Sequence, residues 1–390
     1  MKFYSRIIVL NASAILIYFY SWTVSLFTLN GYQKHTHNLN GYIESNHPGD
    51  SQDDESSTVT EPPTKFHMEL KKTTPTSENE LRVHTIKPLI KRENALQMKS
   101  DNESTHIITP IDCNSLIING HICLNKTPKL IIMVPSIPSH TRQRMAIRDT
   151  YAKLSNDRIH QVNGLEIQHV VGIMFLLGGS GTALVDENIK KENHKHNDIV
   201  QFDFKDSYHN LTLKMLHGFK WINMYCNKTT YVLKADEDVF VNVALLFKQL
   251  EQHPLPSNGA VFGYIYSGAK VWRFGKWAID KTVYGKNILP RYASGTAYCL
   301  TVQLLPDIVK VAEMMPYVKV EDAYITGIIA SEKLGASLIM LNGSSHLNEG
   351  SVEPCAFVKD GRVTITNLKP KQMYSFWNAL ISYEQECQQQ

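Results

Sequence analysis

The pattern of hydrophobic and polar positions divides this chain into three parts. Residues 7–29 form one uninterrupted stretch without charge, residues 30–108 are largely polar, and from residue 129 onward short apolar runs alternate with amphipathic segments. Short apolar runs rich in β-branched residues are typical of buried strands, whereas apolar positions three and four apart indicate helices. The alternation predicts an α/β domain with a mainly parallel sheet and helices on both of its faces.

The predicted strands share apolar runs and lie at residues 129–134, 168–177, 198–202, 230–235 and 260–266, with another after a small-residue turn at 294–297. The predicted helices share amphipathic spacing and lie at residues 142–153, 184–195, 211–225, 243–252, 304–314 and 323–330. Ligands of such sheets bind beyond the carboxyl ends of the parallel strands. A glycine-rich segment at 178–184 resembles a dinucleotide-binding turn, but Leu184 occupies its last small position, which disfavours such a site.

The first thirty residues indicate a membrane anchor. Residues 7–29 are uncharged, long enough to cross a bilayer, and preceded by Lys2 and Arg6. The basic flank predicts a cytoplasmic tail of residues 1–6 and a lumenal remainder. A cleaved signal peptide is the alternative, but the apolar stretch exceeds its usual core and no small-x-small cleavage site follows.

The lumenal part is predicted to contain a stem, residues 30–125, and one folded domain, residues 126–390. Up to about residue 108 the stem is too polar to bury the apolar surface that ordering requires. Five Asn-x-Ser/Thr triplets are candidate glycosylation sites in such a compartment: Asn102, Asn125, Asn210, Asn227 and Asn342.

Composition narrows the class of protein further. The six cysteines form an even set, so disulfides are expected in an oxidising compartment, although the sequence does not reveal their pairing. None has the paired spacing of a structural zinc site. A net charge of +3, evenly spread, argues against a nucleic-acid partner.

The clearest chemical signal is an acidic cluster at a predicted strand end. Asp236, Glu237 and Asp238 directly follow the run at 230–235. Aspartates at i and i+2 point the same way from an extended backbone and can share a divalent cation that neutralises a phosphate or diphosphate. The alternative is a helix N-cap with a favourable dipole. A calcium-binding EF-hand is disfavoured, because Phe240 and Val241 occupy positions that need an oxygen ligand and a glycine.

Further segments around this cluster carry a family resemblance. They share an order along the chain and lie at residues 144–151, 175–178, 203–214, 231–242, 276–277, 292–298 and 321–324. This ordered set, within about residues 129–355, resembles the β-1,3-galactosyltransferase and β-1,3-N-acetylglucosaminyltransferase family, glycosyltransferase family 31. The resemblance implies a single GT-A type domain, a single-pass type II protein of the Golgi membrane, and manganese-dependent, inverting transfer from a UDP-sugar to the 3-hydroxyl of a glycan acceptor on a lipid or protein.

The resemblance also implies roles for particular residues. Asp236 and Asp238 belong to the metal motif, with Asp238 as the direct ligand and Asp236 supporting either the metal or the ribose, and His346 completes the metal shell. The acceptor hydroxyl must lose its proton as it attacks, and Asp322 is the expected general base. The alternatives are an N-cap pair for Glu321 and Asp322, and a surface histidine in a Ser-rich turn for His346.

The remaining candidates are expected to bind substrate, and they are Arg144, Arg148, Asp206, Lys234, Glu237, Trp277, Gly295 and Glu321. The two arginines suit nucleotide phosphates, although a solvated helix face is the alternative. Lys234 offsets the acidic cluster and contacts phosphate, and Trp277 stacks on a sugar or packs in the core. Asp206 holds the nucleotide base or ribose or caps a helix, and Gly295 lets the backbone approach the sugar or forms a plain turn.

Three positions depart from the family pattern. Tyr151 replaces the usual Trp, Ala297 replaces a usual Gly, and the stretch before Tyr292 lacks the common Tyr-Pro. These changes lie near the expected substrate pocket and leave donor and acceptor open. UDP-galactose is the predicted donor, and transfer of N-acetylglucosamine or N-acetylgalactosamine is the alternative. A non-catalytic lumenal binding protein is disfavoured, because the acids expected to bind metal and to act as base are present.

Overall fold

The computed structural model describes residues 107–124, 127–156, 161–167, 169–346 and 350–387. All of them fall within one compact unit, Lys91–Gln390. The predicted tail, the predicted anchor and the predicted stem up to residue 106 lie outside the described residues, as do Asn102 and Asn125. In the part that the structure describes, no helix combines the length and apolarity needed to cross a membrane.

The strands, in chain order, are β1 (Ser115–Ile117), β2 (Leu130–Pro135), β3 (Gln161–Val162), β4 (Leu165–Glu166), β5 (Val171–Gly179), β6 (Ile199–Lys205), β7 (Tyr231–Ala235), β8 (Phe240–Val241), β9 (Ala260–Tyr266), β10 (Tyr292–Thr301), β11 (Ser337–Met340) and β12 (Thr364–Ile365). Eight of them form one sheet in the order β1-β6-β5-β2-β7-β10-β9-β11. Only β1 and β10 oppose the common direction, so the sheet is mixed with a parallel centre. Two small pairs, β3 with β4 and β8 with β12, complete the strands.

The helices, in chain order, are α1 (Thr141–Arg148), α2 (Ala183–His196), α3 (Leu211–Tyr225), α4 (Val243–Glu251), α5 (Leu305–Glu313), a π-helix (Ala323–Lys333), α6 (Pro354–Lys359), α7 (Pro370–Ile381) and α8 (Tyr383–Cys387). They cover both faces of the sheet, as predicted. Strand β2 shows this directly, because Leu130 and Ile132 pack in a core cluster with α1, α4 and α7, whereas Ile131 and Met133 pack in a second one with α3, α5 and the π-helix.

Two local predictions were wrong. The helix predicted at residues 142–153 ends at Arg148 and continues, after a break, as a 3₁₀ turn at Tyr151–Asn156. The turn predicted at residues 294–297 is instead part of β10, because Ala297 pairs with Ala235 of β7. On its other side β10 shifts register against β9 between Ala293 and Tyr298. The small residues therefore form a bulge, which bends a strand and re-aims it.

Two disulfides fasten the edges of the domain. Cys123 bonds to Cys226 at the end of α3, and Cys355 in α6 bonds to Cys387 in α8. Cys113 and Cys299 are free, and Cys299 lies buried in β10. The disulfides join residues far apart in sequence, which explains why spacing alone did not reveal the pairing.

Candidate active site

The acidic cluster lies where β7 ends in the centre of the sheet. The Asp236 N–H donates to the carbonyl of Thr296 in β10 at 3.0 Å, and the Val239 N–H donates back to the Asp236 carbonyl at 3.1 Å, which closes a turn. The cap of the next helix, α4, is Asn242, whose side chain accepts from the Leu245 N–H at 3.1 Å. The three acids therefore do not cap α4, and the capping alternative for them is excluded.

The three carboxylates have different surroundings. Asp236 pairs with Lys234 at 2.6 Å and keeps 39% of its side chain exposed. Glu237 accepts from the Ser136 hydroxyl at 2.5 Å and contacts His140 Nδ1 at 2.5 Å, so it braces the segment after β2. Burial, reinforced by the charge of Asp236, raises the pKa of Asp238 to about 6. Asp238 is thus a half-buried carboxylate whose ionised form gains from a cation.

Lys234 connects this cluster to the second acid pair. Its side chain is 1% exposed, and its ammonium contacts Asp236, the carbonyl of Gly295 and, at 4.0 Å, Glu321. Burial lowers the pKa of Lys234, but the charges of Asp236 and Glu321 outweigh burial, so the net shift is upward. Lys234 therefore stays charged and holds three separate segments together.

Glu321 and Asp322 precede the π-helix and differ in burial. Glu321 is buried, accepts a hydrogen bond from the Tyr298 hydroxyl, and has a pKa raised to about 7, mainly by burial. Asp322 is half-buried, and burial also raises its pKa. Its two oxygens accept from the N–H groups of Gly295 at 2.9 Å and Ala323 at 2.8 Å. The bond from the Ala323 N–H means that Asp322 caps the π-helix, as the alternative held. Together with the bond from the Gly295 N–H, it fixes the carboxylate beside Gly295.

The backbone of Gly295 lies in close contact with both Lys234 and Asp322. A Cβ at this position would lie 2.9 Å from Asp322 Oδ2 and 3.1 Å from its Cγ, nearer than side chains tolerate. The β10 bulge brings the Gly295 backbone between Lys234, which binds its carbonyl, and Asp322, which binds its N–H. The absence of a side chain is what permits this approach.

His346 reaches the same region through the residue after Gly295. The Thr296 hydroxyl donates to the Ser345 carbonyl at 3.0 Å, while the Thr296 carbonyl accepts from the Asp236 N–H. The His346 ring lies 4.4 Å from that of Tyr264, and its buried Nδ1 has no hydrogen-bond partner among the described residues. His346 is half-buried and its Nδ1 is shielded from solvent, so the ring is not the freely exposed surface histidine of the alternative.

The side chains of Asp236, Asp238 and His346 offer ligand atoms of the chemical types that bind manganese. Carboxylate oxygens suit Mn²⁺, and an imidazole nitrogen is a common ligand of divalent transition metals. The described residues contain no ready-made group of three or more His, Cys, Asp or Glu side chains that could hold a metal. The assignment of Asp236, Asp238 and His346 to a metal stays a prediction.

Asp206 lies in a buried network at the ends of β5 and β6. It accepts from the Gly178 N–H at 2.8 Å and pairs with Lys214 at 2.7 Å, and Lys214 also donates to the Ser136 carbonyl at 2.9 Å. Burial lowers the pKa of Lys214 despite the charge of Asp206. Asp206 does not cap α3, so the helix-capping alternative is excluded. Lys214, in the interior of α3, gave no sequence signal for this partnership.

The two predicted arginines make protein contacts. Arg144 is fully buried and donates to Glu192 at 2.7 Å and to the carbonyls of Ile137 and Pro138. Arg148 pairs with Glu192 and Asp198, both at 2.7 Å. The solvated-face alternative is excluded for both arginines. Arg144 supports the segment that carries Ser136, and the role of both arginines as substrate ligands stays a prediction.

Trp277 lies on an exposed loop beside Lys276 and Tyr208, which belong to the resemblance segments but were not assigned a substrate role. The ammonium of Lys276 lies 4.3 Å from the Tyr208 ring centre and 5.7 Å from that of Trp277. Trp277 is 40% exposed, so it is not a core residue. Burial raises the pKa of Tyr208, and the negative charges of Asp322 and Asp236 raise it further.

The described glycosylation triplets differ in exposure. Asn227 and Asn342 are exposed, whereas Asn210 is half-buried and its amide donates to the Lys205 carbonyl at 2.8 Å. Their occupancy stays a prediction.

Comparison with known proteins gives a consistent result. Residues 142–341 match the model of the family described as galactosyltransferase. The chain is 31% identical over 268 residues to mouse β-1,3-galactosyltransferase 5, covering 68% of this chain and 83% of the relative. It is 29% identical over 283 residues to human β-1,3-galactosyltransferase 1, covering 72% and 82%. The solved galactosyltransferase LgtC matches 67% of this chain and 99% of its own at 10% identity and a TM-score of 0.33, too low to assign fold or function.

Proposed function

Because the chain belongs to the galactosyltransferase family, we propose that it transfers galactose from UDP-galactose to the 3-hydroxyl of an acceptor sugar on a lipid or protein, with inversion at the transferred carbon. Family membership makes the chain a hexosyltransferase. The names of the relatives support galactose and the 1,3 linkage for this chain. The GT-A type of the domain and the UDP carrier are supported by the motif resemblance and by the mixed sheet flanked by helices.

The convergence of two acid pairs at the end of β7 carries the proposal. Lys234 contacts Asp236 and the Gly295 carbonyl, and the Gly295 N–H donates to Asp322. Carboxylates in different environments within one site can take different roles, one as proton acceptor and another as electrostatic ligand. This division matches what glycosyl transfer needs: a base at the attacking hydroxyl and stabilisation of a leaving diphosphate.

We assign Asp322 as the general base that accepts the proton of the acceptor hydroxyl. Its carboxylate is held by two backbone N–H groups, so its orientation is set before substrate binds. Burial raises its pKa, which makes the ionised group a stronger base than an ordinary aspartate. Glu321, buried against Tyr298, is placed to support Lys234 and not to receive the proton.

Asp236, Asp238 and His346 would hold a manganese ion. When bound, such an ion supplies Lewis-acid stabilisation to the negative charge that develops on the diphosphate. Lys234 orients Asp236 through a 2.6 Å contact, and Glu237 braces the segment after β2. Asp206 and Lys214 lie near that segment, on the side that we assign to the nucleotide.

The proposed setting is the Golgi membrane, with residues 7–29 as a single-pass anchor and the domain in the lumen. Protease protection of intact Golgi vesicles tests this topology. The domain should resist digestion until detergent is added, and digestion of the domain in sealed vesicles would refute the lumenal placement.

A donor screen with the purified full chain tests the activity. We expect transfer from UDP-galactose to at least one acceptor in a panel of oligosaccharides with different terminal sugars, loss of transfer with a chelator, and recovery with manganese. Nuclear magnetic resonance of the product should show a β-1,3 linkage. Transfer from UDP-N-acetylglucosamine or UDP-N-acetylgalactosamine alone would select the alternative donor, and no transfer from any UDP-hexose would refute the proposal.

A further inference from the structure

The loop between β9 and β10 carries aromatic side chains in open solvent. Trp272 is 64% exposed, Phe274 is 88% exposed and Trp277 is 40% exposed. Single exposed apolar residues are common on proteins and need no explanation. Three large aromatic residues between positions 272 and 277 of one loop form a patch that needs one.

The loop is a built structure. The Arg273 guanidinium turns inward and donates to three carbonyls of the same loop, at 2.7–2.9 Å: those of Ile279, Tyr284 and Lys286. Backbone bonds join Val271 to Asn287 and Ala269 to Leu289, which closes the base of the loop. The residues on either side of Arg273, Trp272 and Phe274, are thereby presented outward by a fixed backbone.

The charges around the patch indicate its partner. Residues 270–286 contain five basic residues and one acidic residue, Asp280. Arg273 points into the loop and Lys286 pairs with Glu332, which leaves the exposed Lys270, Lys276 and Lys281 as the cations beside the aromatic rings. Aromatic rings among Lys and Arg side chains are the composition of surfaces that lie in a lipid headgroup region. A protruding ring such as Phe274 suits insertion into a soft surface, whereas a protein partner would need a preformed pocket for it.

The same loop also borders the candidate active site. Lys276 contacts the rings of Tyr208 and Trp277, and Tyr208 follows Asp206 by two residues at the end of β6. We propose that residues 270–288 dock on a lipid bilayer through Trp272 and Phe274, and that the acceptor sugar of this enzyme is therefore carried on a membrane lipid. The claim about the acceptor rests on the proposed function. The claim about bilayer contact does not, because that contact is measured without any transfer reaction.

Activity on matched acceptors tests the inference. The full chain is reconstituted in phosphatidylcholine vesicles, so that its N-terminal segment is the same in every variant. Transfer is measured to one oligosaccharide, either free in solution or attached to a lipid in the same vesicles. For Trp272→Ser/Phe274→Ser we expect kcat/KM to fall at least about tenfold with the lipid acceptor, since each ring loses its burial in the bilayer. The value for the free oligosaccharide should stay within about twofold.

Two control variants sharpen this comparison. Trp272→Phe keeps an apolar ring and should keep activity on the lipid acceptor. Leu184→Ser/Met224→Ser removes two side chains that are 75% and 68% exposed elsewhere on the domain, and should leave both activities unchanged. An equal loss on both acceptors in the Trp272/Phe274 variant would show that the loop binds the sugar itself, and no loss on either would show that it has no role. Both outcomes overturn the inference.

Quenching by brominated lipid reports bilayer contact directly. Bromine in the acyl chains quenches tryptophan that enters the bilayer, and Trp272 is one of five tryptophans in the chain. Wild type should lose a larger fraction of its fluorescence in brominated vesicles than Trp272→Phe does. Trp22 of the predicted anchor is quenched in both proteins. A fractional loss in Trp272→Phe that equals or exceeds that of wild type would therefore refute membrane contact by Trp272, even if transfer itself is observed. Absent transfer with positive quenching would instead refute the proposed function and leave the docking surface standing.

Discussion

The replacement Gly295→Ala tests whether the β10 bulge orients Asp322, the proposed base. The added Cβ would lie 2.9 Å from Asp322 Oδ2, 3.1 Å from Cγ and 3.2 Å from Cβ of the same side chain. Since ordinary contacts begin near 3.4 Å, the Asp322 carboxylate or the bulge must move by a few tenths of an ångström. This movement strains the hydrogen bond from the Gly295 N–H to Asp322 and the contact between the Gly295 carbonyl and Lys234.

The expected magnitude follows from the role of Asp322. A misplacement of about 1 Å at a reacting group costs on the order of 10²-fold in rate, and a general base contributes about 10²- to 10⁴-fold. Because the displacement is a fraction of 1 Å, we expect kcat for Gly295→Ala to fall about tenfold, which corresponds to about 1.4 kcal/mol of activation free energy. Binding of UDP should change by less than about twofold, because the variant alters neither Asp238 nor the network of Asp206.

Steady-state kinetics with a soluble acceptor and calorimetric titration with UDP measure these two quantities. Gly350→Ala is the matched control, because a Cβ there meets no atom within 4 Å. Circular dichroism of both variants separates loss of fold from loss of activity. A wild-type kcat for a folded Gly295→Ala would refute the reasoning, since it would mean that the contact with Asp322 does not set the geometry of the reaction.

Three further predictions follow from the same site and one from the disulfides. Asp322→Asn should abolish transfer while sparing UDP binding; unchanged turnover would remove Asp322 as base. Asp238→Ala should weaken both transfer and manganese-dependent UDP binding, as calorimetry would show. Glu321 has a pKa raised from 4.5 to about 7, so its contribution to stability is complete below 4.5 and is lost as pH rises through about 7. Glu321→Gln should remove this pH-dependent change, about 3 kcal/mol in total, from the free energy of unfolding measured across that pH range. Cys355→Ser opens a loop of 32 residues and should lower the free energy of unfolding by about 3–4 kcal/mol.

The central strands and the acidic strand end were predictable because their signals are local. In the run before Asp236, successive apolar side chains pack in the two core clusters on opposite faces of the sheet. A continuous apolar run is typical of such a strand, so its burial on both faces was predictable from composition. The position of β10 between β7 and β9 was not predictable, since its pairing with Ala235 joins residues about sixty positions apart. The same limit applies to Arg144, whose spacing from Arg148 was clear but whose partner Glu192 lies 48 positions away.

Lys234 shows how the missing long-range contacts change the interpretation of a residue. From the sequence it is a cation beside an acidic cluster, and contact with a substrate phosphate is the natural assignment. In the structure its ammonium is buried and already engaged by Asp236, Gly295 and Glu321, which leaves it little freedom to reach a ligand. Removing such a buried cation would leave its carboxylate partners uncompensated. Lys234 therefore supports both Asp236, the proposed metal ligand, and the backbone beside Asp322, the proposed base. Substitutions of Lys234 should affect both proposed functions, unlike substitutions at Asp322.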